Sequence, residues 1–430
     1  MRGRFDALKQ SINPWSLRAP GALARNSLHF LTWQILRAGC LGAYLILLTR
    51  ILGATTYGAL SGPLSLAVIF GTLSGGGASL MLLRDTAKDG ASLSLAWSRL
   101  WSASMLLAPV CLTLYAIVTR LLFGSAFSWQ LLVMFAASEI ILLPLVTAVA
   151  LAFQGREQLG TAGAIMTLPA LGRLFAVMGL AVAAPTQPLM IYPMLHLSAA
   201  VLTTVTAVIL LMTRTPLTWR FSILPAAWWR DCLEQSSMYF VSSATTELDK
   251  SLVLRFGAAE LAGHYTLGYR IMMMLTMPAQ ALAQAALPRA VRQIADRSHS
   301  LPRLVASMGI ATLGYSGLAS LTLWLGGTTI ISWFGPDFGE VHTVILEFCI
   351  LFSLYNLRLI PCILLQAAGQ PVRRASIEAG ALVVLCTLSA ILVPRYGLRG
   401  AVLTSMASEC WILVVSLVAI RPILRESRIT

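Results

Sequence analysis

Charged side chains are scarce in this chain of 430 residues. Asp, Glu, Lys and Arg together make up 11% of it, whereas 57% of its residues are hydrophobic and the mean hydropathy is +0.78. A soluble domain carries about 25% charged residues. The chain therefore has too few to cover its surface in water. This excludes a water-soluble protein and predicts an all-α polytopic membrane protein.

Lysine is rarer still, and motifs for nucleotide or metal chemistry are absent. The only lysines are Lys9, Lys88 and Lys250, and no G-x-x-x-x-G-K-[ST] occurs, which excludes nucleotide hydrolysis by a P-loop. The five histidines are scattered and form no H-E-x-x-H, so we expect no metal site. No predicted loop exceeds about 25 residues, which is too short for a catalytic domain outside the membrane. We therefore expect a protein that is not an enzyme and uses no cofactor.

Long apolar runs fill most of the sequence. Windows of about 20 residues identify eleven clear membrane spans. They lie at 27–49, 59–83, 100–123, 130–153, 161–183, 189–212, 261–287, 304–326, 341–368, 374–393 and 400–422. A further segment, 235–256, is less apolar because Glu247, Asp249 and Lys250 interrupt it.

The distribution of basic residues decides whether segment 235–256 crosses the membrane. Arg-rich segments precede it and follow the next span, and two such segments on one side need an even number of crossings between them. Twelve spans result, with both termini cytoplasmic. The cytoplasmic segments then hold 21 of the 31 Lys and Arg residues and the external segments hold 5. This topology accounts for the net charge of +14, so no nucleic-acid partner is needed to explain it.

The twelve predicted spans form two equal sets. We expect a cytoplasmic segment at 1–26 without a cleaved signal, a six-helix bundle at 27–212, a cytoplasmic interfacial linker at 213–234, a second six-helix bundle at 235–423 and a cytoplasmic tail at 424–430. Six spans in each half predict a parallel repeat, and in transporters of that plan the substrate lies between the halves.

A short pattern supports the repeat. The segments Arg50 to Gly58 and Arg255 to Tyr265 each contain an Arg, then Gly-Ala, then a Gly/Tyr pair at the start of the next span. The alternative is that these residues simply mark a turn and an interfacial anchor.

Eleven ionisable side chains lie within the predicted spans. A charge near a helix centre costs about 2.5–3.5 kcal/mol against lipid, so these groups must face a polar interior. Arginine binds phosphate bidentately, which favours a cavity for an anionic headgroup. The alternative is a set of structural ion pairs, because the cations and acids nearly cancel. The residues are Arg37, Arg173, Lys250, Arg270 and Arg358, with Glu139, Glu247, Asp249, Glu347, Glu378 and Glu409.

The seventh span has three charges within one helical turn. Glu247 and Lys250 are i,i+3 neighbours and can pair. This leaves Asp249 to face elsewhere and to receive a proton, a cation or an arginine from the other half. Three charges in one turn of a membrane span indicate a functional site.

The seventh and eighth spans also carry the most specific motif, Glu247-Leu-Asp249-Lys250-Ser-Leu-Val-Leu-Arg-Phe-Gly257-Ala-Ala-Glu-Leu-Ala-Gly263-His-Tyr265-Thr-Leu-Gly-Tyr-Arg270. Weaker matches are Leu52-Gly53-Ala-Thr-Thr-Tyr57-Gly58, Gly335-Pro336-Asp337-Phe338, Ala368-Gly369-Gln370 and Tyr396-Gly397-Leu-Arg-Gly400-Ala. Over nearly the whole chain, the sequence resembles the oligosaccharide (Wzx-type) flippases of the MOP exporter superfamily.

The resemblance implies a MATE-like V of two six-helix bundles around a central cavity. It implies a transporter that flips a lipid-linked oligosaccharide repeat unit, on undecaprenyl diphosphate, across the bacterial inner membrane by alternating access. Such transport serves polysaccharide biosynthesis, including exopolysaccharide. A proton or sodium gradient is the candidate driving force, and a polysaccharide polymerase or glycosyltransferases are candidate partners besides the membrane lipids.

The resemblance also implies a cationic cavity that receives the diphosphate and sugar. Lys250 and Arg270 stand in the matched stretch, and the other cations are added on depth alone. We assign substrate binding to Arg37, Arg173, Lys250, Arg270 and Arg358, and gating or ion coupling to Glu139, Glu247 and Asp249.

Three other transporter classes remain as alternatives. A MATE-type antiporter for cationic drugs would line its cavity with acids and aromatics, whereas this chain offers arginines. Lipid II flippases usually carry two further C-terminal spans, which we do not expect in a chain that ends at Thr430. A major-facilitator protein would need a basic signature between spans two and three, where this chain has only Arg84-Asp85-Thr-Ala-Lys88.

Overall fold

The computed structural model describes residues 20–88, 93–183, 188–215, 217, 219–296 and 299–429. Within these ranges, side chains are described from residue 29 to 425, except at 88, 288 and 295. Residues 1–19 of the predicted N-terminal segment and Thr430 of the predicted tail lie outside the described residues. The described chain is helical apart from short connections, as the composition predicts.

The described chain contains eleven α-helices. They are α1 Pro20–Lys88, α2 Leu93–Phe123, α3 Trp129–Ala136, α4 Leu143–Gly155, α5 Leu159–Ala183, α6 Pro188–Met212, α7 Ala226–Phe256, α8 Ala259–Ala295, α9 Leu301–Ser332, α10 Ile345–Ala367 and α11 Pro371–Ile429. A π-helix, Ala137–Leu142, joins α3 to α4, and a 3₁₀ helix, Pro336–Val344, precedes α10.

Eight helical segments of the described residues are long and apolar enough to cross a membrane. Two of them are much longer than one crossing, at 59 and 55 residues, and each bends at a glycine with positive φ, Gly53 (67°) in α1 and Gly397 (55°) in α11. Helices α7 and α8 are absent from the eight, since both carry charges that lower their hydropathy. The protein is a multi-span, all-α membrane protein, and the count of twelve stays a prediction.

The part of α1 after its kink packs closely along α7. The Ser251 hydroxyl donates to the Gly62 carbonyl oxygen over 2.9 Å, and the Gly77 amide donates to the Ser236 hydroxyl over 3.1 Å. A Cβ added to Gly77 would lie 2.1 Å from the carbonyl oxygen of Cys232. Glycine thus lets the two backbones approach, and polar side chains fix the contact.

The halves also meet at the kinked end of α1, where α8 begins. A Cβ on Gly58 would lie 1.8 Å from the carbonyl oxygen of Ala259, and one on Gly263 would lie 2.1 Å from that of Ala54. The two glycines named in the repeat pattern therefore allow a backbone contact between the halves.

Residues around the 3₁₀ helix complete this closed end. Arg50 Nε donates to the carbonyl oxygen of Trp333 over 2.6 Å, and the rings of Tyr57 and Phe338 meet edge to face at 6.3 Å. These contacts join α1 to the second half of the chain at this end.

The predicted linker 213–234 is partly helical. An extended segment follows α6, and α7 begins at Ala226, nine residues before the predicted span. In the extended part, the Trp219 ring packs edge-on against Trp97 at 5.5 Å and Trp101 at 4.8 Å. The segment is therefore held against α2 by aromatic contacts.

Candidate functional site

A central cavity of about 230 Å³ lies between α1 and α8. Leucines of α1 (Leu41, Leu45, Leu48) and methionines of α8 (Met273, Met274, Met277) form much of its wall. Tyr57, beside the closed end, also contributes. The cavity therefore lies where the halves separate beyond their contact at Gly58 and Gly263.

Two arginines bring charge to this mostly apolar wall. Arg173 comes from α5 in the first half and Arg270 from α8 in the second, and each side chain is partly exposed, at 26% and 38%. The other described residues that line the cavity are uncharged. Two guanidinium groups on one cavity make a site for an anion, and a phosphate or diphosphate matches their bidentate geometry.

In the first half, Arg173 is held by a buried carboxylate. Its Nη2 donates to Glu139 Oε1 over 2.7 Å, and His196 Nε2 lies 2.9 Å from the same oxygen. Glu139 sits in the π-helix between α3 and α4, a rare element that often occurs at functional sites. Arg173, Glu139 and His196 thus form one cluster, whose carboxylate lies behind the cation that faces the cavity.

Sequence reasoning missed His196. It treats the five histidines as scattered, which is true along the chain, but α6 places this one fully within the bundle beside Glu139. The available signal was a histidine inside an apolar span, seven residues after the predicted start at 189.

In the second half, Glu247 holds Arg270 in the same way. Arg270 Nη2 lies 3.4 Å from Glu247 Oε2, and Lys250 Nζ lies 3.4 Å from that oxygen. The expected i,i+3 pairing of Glu247 with Lys250 is confirmed. The same carboxylate oxygen of Glu247 also pairs with Arg270, the arginine that lines the cavity.

Lys250 itself does not line the cavity. Its side chain is wholly buried; Nζ lies 3.1 Å from Asp249 Oδ1, donates to the carbonyl oxygen of Thr246 and stands 3.9 Å from the Tyr269 ring centre. Its ammonium is enclosed within the second half by these groups, and direct substrate contact through Lys250 stays a prediction.

Asp249 also meets partners from its own half rather than an arginine from the other. Besides Lys250, its Oδ2 accepts a hydrogen bond from the Tyr265 hydroxyl at 2.5 Å, and Ser405 Oγ lies 2.6 Å from that hydroxyl. A polar chain therefore runs from Lys250 to α11. Its members can hold or relay a proton, away from the cavity wall.

Arg358 lies within the second half, away from the cavity. Its Nε pairs with Glu409 Oε2 at 2.7 Å, and its guanidinium stacks over Tyr355 at 4.3 Å. Both members of the ion pair are less than a tenth exposed. The expectation that Arg358 lines the substrate cavity is corrected, since depth in a span does not give the direction of the side chain.

Arg37 differs from the other charges within the predicted spans. Ten of those eleven residues take part in an ion pair, with Glu378 joined to Arg374 at 3.0 Å and Glu347 to Arg399 at 3.4 Å. Arg37 makes none with a described residue, and the charge that acts on it is that of Arg173. Ion pairing therefore explains most of these charges, and Arg37 adds an unpaired cation near the cavity.

Solved structures define the class of fold. The chain is similar to an inward-facing multidrug resistance MATE family transporter of the MOP superfamily, with a TM-score of 0.69, 14% identity, and coverage of 91% of this chain and 96% of that one. It is also similar to the lipid II flippase MurJ in an inward closed conformation, with a TM-score of 0.72, 14% identity, and coverage of 93% and 90%. A MOP superfamily transporter from Pyrococcus furiosus gives a TM-score of 0.69, 13% identity, and coverage of 95% and 96%. The fold is that of the MOP superfamily.

Sequence comparison gives the family. Residues 23–293 match the family described as polysaccharide biosynthesis protein, and this match covers more than half of the chain. The chain belongs to the polysaccharide biosynthesis protein family. No curated protein sequence matches it. The chain is therefore a member of a polysaccharide biosynthesis family that has the fold of these transporters.

Proposed function

We propose that the protein flips a lipid-linked oligosaccharide repeat unit, carried on undecaprenyl diphosphate, across the bacterial inner membrane. The family indicates a role in polysaccharide biosynthesis, and the cavity supplies the chemistry. Its arginines suit a diphosphate, and its leucine and methionine walls suit the apolar part of the same amphiphile.

The observation that carries this proposal is the origin of the two cavity arginines. Arg173 and Arg270 belong to opposite halves, yet they line one cavity and act on each other electrostatically. An anion held between them is bound by both halves at once. Movement of one half against the other would then change the anion's binding, which alternating access requires.

The proposed topology has twelve crossings and cytoplasmic termini. The kinked helices α1 and α11 each contain two predicted spans, so the eight apolar segments hold ten spans, and α7 and α8 add two. In this orientation the closed end at Gly58 and Gly263 faces outward. The structure would then be an inward-facing state that receives its cargo from the cytoplasmic leaflet.

Ion coupling is assigned to the carboxylates behind the arginines. Glu139 and Glu247 each touch the cavity cation of their half, so a proton or sodium ion taken up by either would weaken its hold on that arginine. Asp249, joined to Lys250 beside Glu247, extends this site in the second half. Lys250 acts on the cargo through Glu247 and Arg270, as a positioning residue.

An antiporter for cationic drugs is the main alternative, and a lipid II flippase a more remote one. Against the first, the charged groups that reach the cavity wall are arginines, with the acids behind them. The second would have the same diphosphate chemistry, so the mass of the accumulated lipid distinguishes it.

The test is the pool of lipid-linked oligosaccharide in cells that lack this chain. We expect an accumulated lipid on the cytoplasmic side, cleared by the wild-type protein but not by Arg270→Ala or Arg173→Ala at equal membrane abundance. Arg255→Ala, an exposed arginine in the last turn of α7, is the matched control and should clear the pool. An unchanged pool together with altered sensitivity to cationic drugs would move the function to the antiporters.

A further inference from the structure

A second cleft opens at the end of the molecule opposite Gly53. Its walls come from the start of α1, the turn between α4 and α5, and the residues after α6, and its volume is about 600 Å³. We call it the basic cleft and define it by His29, Trp33, Arg156, Gln158 and Arg214. Nothing in the proposed transport step uses these residues.

The basic cleft carries an excess of positive charge. Arg156 and Arg214 form no ion pair with any described residue, and Arg156 Nη1 donates instead to the neutral hydroxyl of Thr215 over 2.5 Å. Among the described residues of the wall, Glu157 is the carboxylate. Two permanent cations against one carboxylate leave the cleft able to take an anion, and guanidinium groups favour phosphate oxygens.

Helix α1 connects the basic cleft with the central cavity. His29, Trp33, Arg37 and Leu41 are successive i,i+4 neighbours, which lie along one ridge of a helix. His29 and Trp33 line the cleft, whereas Leu41 lines the cavity. Twelve residues of helix separate the ends of this ridge, which is about 18 Å.

Arg37 lies between the two sites on this ridge. It makes no ion pair with a described residue, and Arg173 of the cavity acts on it electrostatically. An anion leaving Arg156 and Arg214 would therefore meet Arg37 next, and then Arg173. Arg37 of α1 thus stands between the cations of the cleft and those of the cavity, so that a phosphate group need not cross the apolar interior without a partner.

We propose that the basic cleft is a loading site for the phosphate or diphosphate group of an anionic lipid, from which the headgroup passes Arg37 into the cavity. This inference rests on the proposed function. The same chemistry would hold the cargo's diphosphate or the phosphate of a bilayer phospholipid. The expected ligand is the cargo, because the ridge leads from the cleft to the cavity.

The test counts bound lipids by native mass spectrometry of the full-length protein in detergent, with farnesyl diphosphate as the probe. We expect up to two molecules on the wild type, because the sites are about 18 Å apart along α1. Arg156→Gln/Arg214→Gln should keep only the cavity molecule and Arg173→Gln/Arg270→Gln only the cleft molecule. Arg303→Gln, an exposed arginine of α9 outside both sites, is the matched control and should keep both.

The outcomes separate this inference from the proposed function. A single bound molecule, lost only in Arg173→Gln/Arg270→Gln, would overturn the loading site and leave the proposed function standing. Absence of binding to the wild type would contradict both. A parallel titration with cardiolipin identifies the source of the phosphate. If Arg156→Gln/Arg214→Gln loses bound cardiolipin but keeps both farnesyl diphosphate molecules, the cleft is a phospholipid site. That result would overturn its loading role.

Folding is controlled by a second variant. Arg214 is exposed, so Arg214→Gln alone should leave the thermal unfolding midpoint unchanged. It should raise the dissociation constant of the cleft molecule about tenfold, the size of one lost charge-assisted contact. An unchanged dissociation constant for the second molecule in this folded variant would overturn the loading site.

Discussion

Arg173 Nη2 lies 2.7 Å from Glu139 Oε1, so a cation that faces the cavity is held from behind by a carboxylate that is only 5% exposed. The second half repeats the arrangement with Arg270 and Glu247, at 3.4 Å. Each half thus presents one arginine to the cavity and keeps one acid behind it. This explains how two guanidinium groups are stabilised in a mostly apolar cavity, and it gives each half a group that can release its arginine.

The two cavity arginines should act on the same anion. We expect Arg173→Gln and Arg270→Gln each to weaken farnesyl diphosphate binding at the cavity by tenfold or more, the size of a lost charge-assisted hydrogen bond. The fold-loss of affinity in the double variant should be smaller than the product of the two single losses, because both arginines bind the same anion and their effects are therefore coupled. Titration calorimetry in the Arg156→Gln/Arg214→Gln background isolates the cavity. Strictly additive effects would indicate two separate anion sites.

Glu139→Gln should uncouple transport from its driving gradient. The amide keeps the size of the carboxylate and can still accept hydrogen bonds from Arg173 and His196, but it cannot exchange a proton or bind a cation. We expect a folded protein whose flipping rate in proteoliposomes no longer responds to an imposed proton or sodium gradient.

The control for this variant is Glu340→Gln, since Glu340 is 71% exposed and pairs with His264 at the closed end. It should respond to the gradient as the wild type does. A wild-type gradient response in Glu139→Gln would remove Glu139 from the coupling site and leave Glu247 and Asp249 as candidates.

The ion pair of Arg358 with Glu409 should prove structural. Arg358→Ala leaves a buried carboxylate without its partner, which lowers the free energy of unfolding by about 3–5 kcal/mol. The double substitution Arg358→Met/Glu409→Leu replaces the pair with apolar side chains and should restore both stability and transport. Thermal unfolding and the flipping rate are the measurements. A double variant that is stable but inactive would return Arg358 to the functional site.

Gly58 should be needed to close the end of the transporter. Alanine there would place its Cβ 1.8 Å from the carbonyl oxygen of Ala259, so α1 and α8 must separate, at a cost of about 1–3 kcal/mol. We expect Gly58→Ala to slow transport. A cysteine in place of Leu52, on the cavity wall beside this end, should then be more accessible to a thiol reagent that does not cross the membrane.

Gly42→Ala is the matched control, because a Cβ at Gly42 in the same helix meets nothing within 4 Å. Transport and thiol accessibility should stay as in the wild type. If Gly58→Ala behaves like Gly42→Ala, the backbone contact does not seal this end.

Depth and local spacing could be read from the sequence. The residue count into each span placed Arg173 and Arg270 in the interior, and the i,i+3 spacing gave the pairing of Glu247 with Lys250. The bend at Gly53 also follows from glycine between two apolar runs, since only glycine readily takes its φ of 67°.

The sequence does not show which way a side chain points around its helix. Spans that are apolar on every side have no polar face to orient them, so Lys250, Arg270 and Arg358 were all assigned to the cavity. Of these three, only Arg270 lines it. Contacts between distant helices were equally hidden. His196 and Glu139 are 57 residues apart, and the π-helix that positions Glu139 has no sequence signal among these apolar residues.

The most direct test of the account is flipping by the purified protein. Proteoliposomes would carry a fluorescent polyprenyl-diphosphate oligosaccharide in both leaflets, and a membrane-impermeant quencher added outside would report the molecules that cross. We predict that the wild type and Arg303→Gln allow nearly all of the fluorescence to be quenched, whereas Arg270→Ala leaves about half of it protected, as in protein-free vesicles with equal leaflets. Full quenching with folded Arg270→Ala would contradict the claim that the cavity arginines carry the diphosphate.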